Sequence, residues 1–236
     1  MLRGKRMPQP QDQKRYIPAL RYHSLTRSYD WALSRAMPEQ AFKFALVRRA
    51  DVRAGQRVLD FGCGTGTLTL MIEASEPGAE IVGVDVDEKA LDIARAKLGA
   101  NRSKIHLYQA SPGPLPFPDC SFDRVLSCLV FHHLRRNEKL AALSECHRVL
   151  RPDGEIHIAD WGQSASFLLR AGFLLTQLLD GFESTTDNAR GLLPEFIRQA
   201  GFDAVVETEH FATAFGSLRL LRGTKVTSVA SCARAG

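Results

Sequence analysis

Val58-Leu59-Asp60-Phe61-Gly62-Cys63-Gly64-Thr65-Gly66 decides the fold. Residues 57–61 are a short apolar run of the kind found in strands buried on both faces. They lead straight into a glycine-dense turn and then a helical stretch, residues 66–75. Gly62 and Gly64 allow backbone angles and a close ligand approach that a Cβ would block. Outward from this turn the same alternation repeats. EIVGVDV (80–86) reads as a second strand. EKALDIARAKLG (88–99) reads as an amphipathic helix with Leu91, Ala94 and Leu98 on one face. KIHLYQ (104–109) is a third strand. A proline-rich loop, PGPLPFPD, precedes a fourth strand, DRVLSCLVF (123–131). A helix over 137–150 and a fifth strand, EIHIAD (155–160), follow. Such alternation predicts an α/β domain with a doubly wound, mostly parallel sheet and right-handed crossovers. Ligands then bind beyond the carboxyl ends of the strands, where the strand order reverses. The loops after residues 61, 86, 110 and 131 should therefore form one site.

The rest of the chain fits one domain. Its 236 residues are enough for a substantial core, and 44% are hydrophobic. Residues 1–15 are polar and Pro/Gln-rich and read as a flexible basic leader. Residues 16–37, with Tyr16, Tyr22, Tyr29 and Trp31, read as a helical cap; from Pro38 a helix continues through EQAFKFALVRRA. The domain is thus expected over 16–236. Residues 1–27 carry a net charge of +6, whereas the whole chain carries +5, so the remainder is close to neutral. A nucleic-acid groove would place its charge on the domain, and no nucleic-acid partner is expected. No apolar run reaches the roughly 18–20 residues of a membrane span, so no stable membrane insertion is expected. Cys63, Cys120, Cys128, Cys146 and Cys232 form no CxxC pair, which argues against a disulfide framework and a zinc site and suits the cytoplasm.

The glycine spacing is G-x-G-x-G, not the G-x-G-x-x-G of dinucleotide folds. Asp60, just before the glycines, would repel a pyrophosphate but suits the positive α-amino group of S-adenosylmethionine (SAM). Asp85 closes the second strand, where a carboxylate can accept from both ribose hydroxyls while Val86 stacks on adenine. The alternative for Asp85 is a cap on the helix that begins near Glu88.

VLDFGCGTGTLT, VGVDVD, LPFPDCSFDRVLS and HRVLRPDGE together resemble the motif series of class I SAM-dependent methyltransferases, over roughly residues 22–222. The chain is similar above all to the branch that includes the ubiquinone/menaquinone C-methyltransferases. The resemblance implies a Rossmann-like sheet of seven strands with an antiparallel C-terminal strand. It implies SAM as cofactor, with S-adenosylhomocysteine as product. It places Asp60, Gly62, Cys63, Gly64, Asp85, Val86, Ser111, Pro112 and Cys128 around the cofactor, and Tyr29 over it. Ser111 stands where the family has Asp or Asn for the adenine amino group. Pro112 stands where the family offers a backbone N–H, which proline lacks. As side chains, Cys63 and Cys128 also read as small buried hydrophobes.

The acceptor is less legible. His132 and His133 end the fourth strand, and an imidazole there could serve as general base. Packing for one ring and solvation for the other is the competing reading, and neighbours leaving a strand point opposite ways. The Asn/Asp-Pro-Pro-Tyr motif of amine-directed enzymes is absent. Residues 162–185, with Phe167, Leu168, Phe173 and Leu174, read as a core helix or as a lid with an apolar inner face. LLPEFIRQAGF (192–202) reads as a helix, and VVETEHF with AFGSLRLLRG as a terminal hairpin. The expected function is C- or O-methylation of a small, largely apolar acceptor. An RNA or protein methyltransferase, a nicotinamide oxidoreductase and a non-catalytic SAM-binding protein are the alternatives.

Overall fold

In a computed structural model of the chain, residues 39–99, 104–111, 113–164, 182–213 and 216–226 are described. They begin with α1 (Glu39–Ala50), which precedes β1 (Arg57–Phe61), α2 (Thr67–Ser75), β2 (Glu80–Asp85), α3 (Glu88–Leu98) and β3 (Ile105–Gln109). Then come β4 (Phe122–Cys128), a 3-10 turn (Phe131–His133), α4 (Arg136–Val149) and β5 (Leu150–Gly162). The last elements are α5 (Phe182–Ala189), α6 (Leu193–Gln199), β6 (Asp203–Thr213) and β7 (Gly216–Thr224).

The seven strands form one sheet in the order β3-β2-β1-β4-β5-β7-β6. All pairs from β3 to β5 are parallel. β7 runs antiparallel to both β5 and β6, as the terminal hairpin requires. The chain therefore has the doubly wound sheet with an antiparallel C-terminal strand. Strand order reverses between β1 and β4, so the loops after these two strands flank the crevice where such sheets bind ligands.

β1 and β2 are buried through their middles, mostly by apolar residues, because both sheet faces are covered. Leu59, Phe61, Val82, Val84, Val125 and Leu143 belong to one core, on the side of α4 and α6. Val58, Ile81, Leu126 and Ala159 belong to the other, with Phe42 and Leu46 of α1 and Ile72 of α2. Side chains alternate along a strand, so Asp60 faces the second core, two residues after Val58.

Several expected boundaries move. The fourth strand stops at Cys128 instead of running to 131, because Leu129 takes a left-handed conformation, φ 58°. Its N–H still reaches the Ala159 carbonyl at 2.8 Å before the chain enters the 3-10 turn. The fifth strand is longer than 155–160: Leu150 already pairs with Phe122. The register is interrupted around Asp153, φ 60°. Cys63, Cys128 and Cys146 are free, whereas Cys120 is disulfide-bonded, a pairing that sequence spacing did not announce. The expected leader, the cap over 16–37 and residues 165–181 lie outside the described residues. No described helix is long and apolar enough to cross a membrane.

Candidate functional site

The glycine turn is held in place by its neighbours in the sheet. Gly62 and Gly64 have φ of 77° and 50°, where a side chain would be strained. The N–H groups of Gly62 and Cys63 donate to the Val84 carbonyl at 2.8 and 2.9 Å. The Gly64 N–H donates to Asp85 Oδ2 at 2.8 Å, and the Asp87 N–H donates to Asp85 Oδ1 at 2.9 Å. Asp87 caps α3 by accepting from the Lys89 N–H, so the helix-capping alternative for Asp85 falls to its neighbour. A carboxylate offers about four acceptor positions, and Asp85 spends two on these backbone groups. Gln109 Nε2 donates to the Val86 carbonyl at 3.0 Å, which fixes the loop after β2 against the end of β3.

Asp60 lies behind the same turn and is fully buried. Its Oδ2 accepts from Thr69 Oγ1 at 2.6 Å. Its Oδ1 is buried and has no hydrogen-bond partner among the described residues. Burial is the main cause that pushes its pKa up to about 6, against the Thr69 hydrogen bond and the charge of Lys43. A nearby cation would relieve this cost through space, because charge interactions are strong in such surroundings. An under-satisfied acid behind the turn and a second acid with acceptor capacity at the next strand suit one ligand type. It carries an ammonium at one end and hydroxyls further along, as SAM does.

Other expected positions differ in character. Cys63 is buried beside Gly83, where an added Cβ would lie 3.0 Å from its Sγ, and burial raises its thiol pKa. Cys128 packs against the core shared with α1, and burial raises its thiol pKa as well. Both act as small packing residues as far as their side chains go. Ser111 is exposed just beyond β3. Tyr29 and Pro112 lie outside the described residues, as do Phe167, Leu168, Phe173 and Leu174.

The two histidines do not leave a strand in opposite directions. The 3-10 turn brings their rings together, centroids 3.9 Å apart and planes tilted by 42°. His132 is buried, with Nδ1 at 2.8 Å from Asp160 Oδ1. The Asp160 carboxylate also accepts the Trp161 N–H at 2.7 Å and the His132 N–H at 3.3 Å. Burial opposes the charge of Asp160, but His132 and the Trp161 N–H outweigh it and hold the carboxyl below its usual range. The edge of His133 reaches the surface while its ring is crowded by its neighbours, and desolvation first, then His132, keep it below the usual imidazole range. Sequence reading missed Asp160. The signal was there: EIHIAD carries an acid near the carboxyl end of a strand, as VLDF and VGVD do.

A family model described as a methyltransferase domain matches residues 58–154. A demethylmenaquinone methyltransferase of Symbiobacterium thermophilum is 29% identical over 254 residues, covering 95% of this chain and 98% of that protein. The ubiquinone/menaquinone biosynthesis C-methyltransferase UbiE of Burkholderia multivorans is 30% identical over 224 residues, covering 86% of this chain and 90% of that protein. Among solved structures, a Haemonchus contortus phosphoethanolamine N-methyltransferase 2 in complex with S-adenosyl-L-methionine superposes with a TM-score of 0.65. It is 16% identical and covers 85% of this chain and 56% of that one, a likeness of fold.

Proposed function

The chain belongs to the SAM-dependent methyltransferases, the family of the ubiquinone/menaquinone C-methyltransferases, and on that premise we propose that its acceptor is a small, largely apolar, quinol-like ring. The observation that carries this reading is likeness over nearly the whole chain to enzymes named for quinone substrates. The near-neutral charge beyond residue 27 supports it, since a polyanionic acceptor would need a basic face.

SAM supplies an activated methyl group, so the protein's task is to align the partners and exclude water. In our reading the turn 60–66 holds the methionine end, and Asp60 stabilises the ammonium through its buried charge. Gly62, Cys63 and Gly64 let the backbone approach closely. Asp85 accepts from the ribose hydroxyls, and Val86 lies along the adenine. Ser111 and Pro112 border the adenine amino edge, Cys128 lines the floor at the end of β4, and Tyr29 covers the site. Residues 1–15 serve as a solvated leader outside the 16–236 domain, residues 162–185 border the acceptor, and the protein works in the cytoplasm.

The test is S-adenosylhomocysteine release by purified protein offered a reduced, side-chain-truncated naphthoquinol, total RNA or a protein extract in parallel. Turnover is expected with the quinol alone. Methylation of RNA or protein without the quinol reaction would overturn the acceptor assignment.

A further inference from the structure

The first turn of α4 and the end of α5 enclose a cleft of about 740 Å³, and none of the residues assigned to the cofactor lines it. Arg135, Arg136, Asn137 and Leu140 form one wall, and Asp187 and Arg190 belong to the other. Three guanidiniums face one carboxylate, so the lining carries two positive charges in excess. The chain beyond residue 27 is close to neutral, which makes this a local concentration of charge and not part of a basic face. The walls are fixed to one another. Arg136 donates to Asp187 twice, from Nη2 to Oδ1 at 2.5 Å and from Nε to Oδ2 at 3.3 Å. The buried Lys139 of α4 donates to the Ser184 carbonyl of α5 at 2.6 Å, and Asn188 Nδ2 donates to the Trp161 carbonyl at 3.1 Å. Arg190 follows α5 directly, its N–H donating to the Thr186 carbonyl at 3.0 Å.

We propose that this cleft is a binding site for an organic phosphate, separate from the SAM crevice, with Arg136 and Arg190 as its principal donors. A guanidinium carries five N–H donors in a rigid fork. Arg136 uses two of them on Asp187, and its plane is held beside Phe196, 5.5 Å from the ring centroid. Its other donors are left for a ligand. The Arg190 guanidinium is exposed and makes no hydrogen bond among the described residues; its charge reaches Asp187 only through space. Forks of this kind match the oxygens of a phosphate in pairs. A phosphate monoester carries close to two negative charges near neutral pH, which balances the excess on the lining, whereas a single carboxylate would not. The volume falls within the roughly 300–1,000 Å³ of small-molecule sites. It therefore has room for the group to which the phosphate is esterified, and Leu140, half-buried in the wall, offers that group an apolar contact.

Arg135 and Arg136 follow the 3-10 turn at the carboxyl end of β4, the end of the sheet at which such folds bind their ligands. A phosphate that bridges Arg136 and Arg190 ties α4 to the end of α5 at that same end. A soluble phosphate ester and a phospholipid headgroup present the same oxygens, and the probes below tell them apart. None of these arginines takes part in holding SAM or aligning the acceptor, so the site stands whichever acceptor the enzyme uses.

The experiment uses the full chain and two probes: calorimetric titration with glycerol 3-phosphate, and flotation with phosphatidylcholine vesicles that contain or lack phosphatidylglycerol. Binding of glycerol 3-phosphate supports the site and assigns it to a soluble ester. Binding only to the vesicles that contain phosphatidylglycerol supports it and assigns it to a headgroup, and binding of both shows that the phosphate alone is read. In each case Arg190→Gln should weaken binding by roughly 10–100-fold, because it removes the fork without breaking a hydrogen bond of the described fold. Arg136→Lys, which keeps the charge and loses the fork, should weaken it as well. SAM affinity, titrated in parallel, should be the same in wild type and Arg190→Gln. Binding of neither probe by wild type, or wild-type affinity in Arg190→Gln, would overturn the site while leaving the methyltransferase reading intact. A matching loss of SAM affinity in Arg190→Gln would overturn its separation from the crevice.

Discussion

An added Cβ on Gly62 would lie 2.2 Å from Cγ2 of Val130, so the glycine loop and the histidine turn touch with no room for a methyl group between them. This contact joins the loop after β1 to the loop after β4, across the point where strand order reverses. It also explains why glycine, φ 77°, serves here for two reasons at once, its backbone angle and its missing side chain.

Gly62→Ala should therefore destabilise the protein by roughly 1–3 kcal/mol from overpacking, with a further cost of about 1–2 kcal/mol from its left-handed backbone. Adding Val130→Ala should recover the packing part and leave the backbone part. Denaturant unfolding of both single variants and the double variant measures this as a non-additive pair. Additive losses would mean that the two loops do not press on one another.

On the proposed placement of the SAM ammonium beside Asp60, SAM affinity should depend on pH. Its native pKa of about 6 lies above the ordinary 3.8. The ligand-free fold therefore gains from its protonated form at low pH and loses that gain as pH rises through about 6. A bound ammonium reverses the preference, because it favours the carboxylate. SAM affinity should rise by roughly tenfold, about 1.4 kcal/mol, from below to above the Asp60 midpoint. Calorimetric titration should show this rise in wild type and not in Asp60→Asn. A rise of the same size in the variant would assign it to another group.

The parallel part of the fold was legible because its strands are buried on both faces and leave continuous apolar runs. Asp60, Gly62, Gly64 and Asp85 were legible because turn and strand end fix them locally. The end of β4 was not legible: LVF continues an apolar strand pattern, and only the left-handed Leu129, held by the Ala159 carbonyl, stops it. For the same reason His132 and His133 were expected to point apart, whereas the 3-10 turn brings their rings side by side. Asp160 was missed because its role comes from a partner 28 residues away in sequence, a distance that only the β4–β5 pairing closes.

The central claim, that SAM is held between the glycine turn and Asp85, is tested most directly by calorimetric titration of SAM into wild type and Asp85→Ala. The substitution removes one or two charge-assisted hydrogen bonds to ribose, each worth roughly 1.5–3 kcal/mol, and frees the Gly64 N–H that Asp85 Oδ2 holds at 2.8 Å. The account predicts that affinity falls by at least about tenfold in a variant whose circular dichroism matches wild type. Unchanged affinity in that folded variant would contradict it.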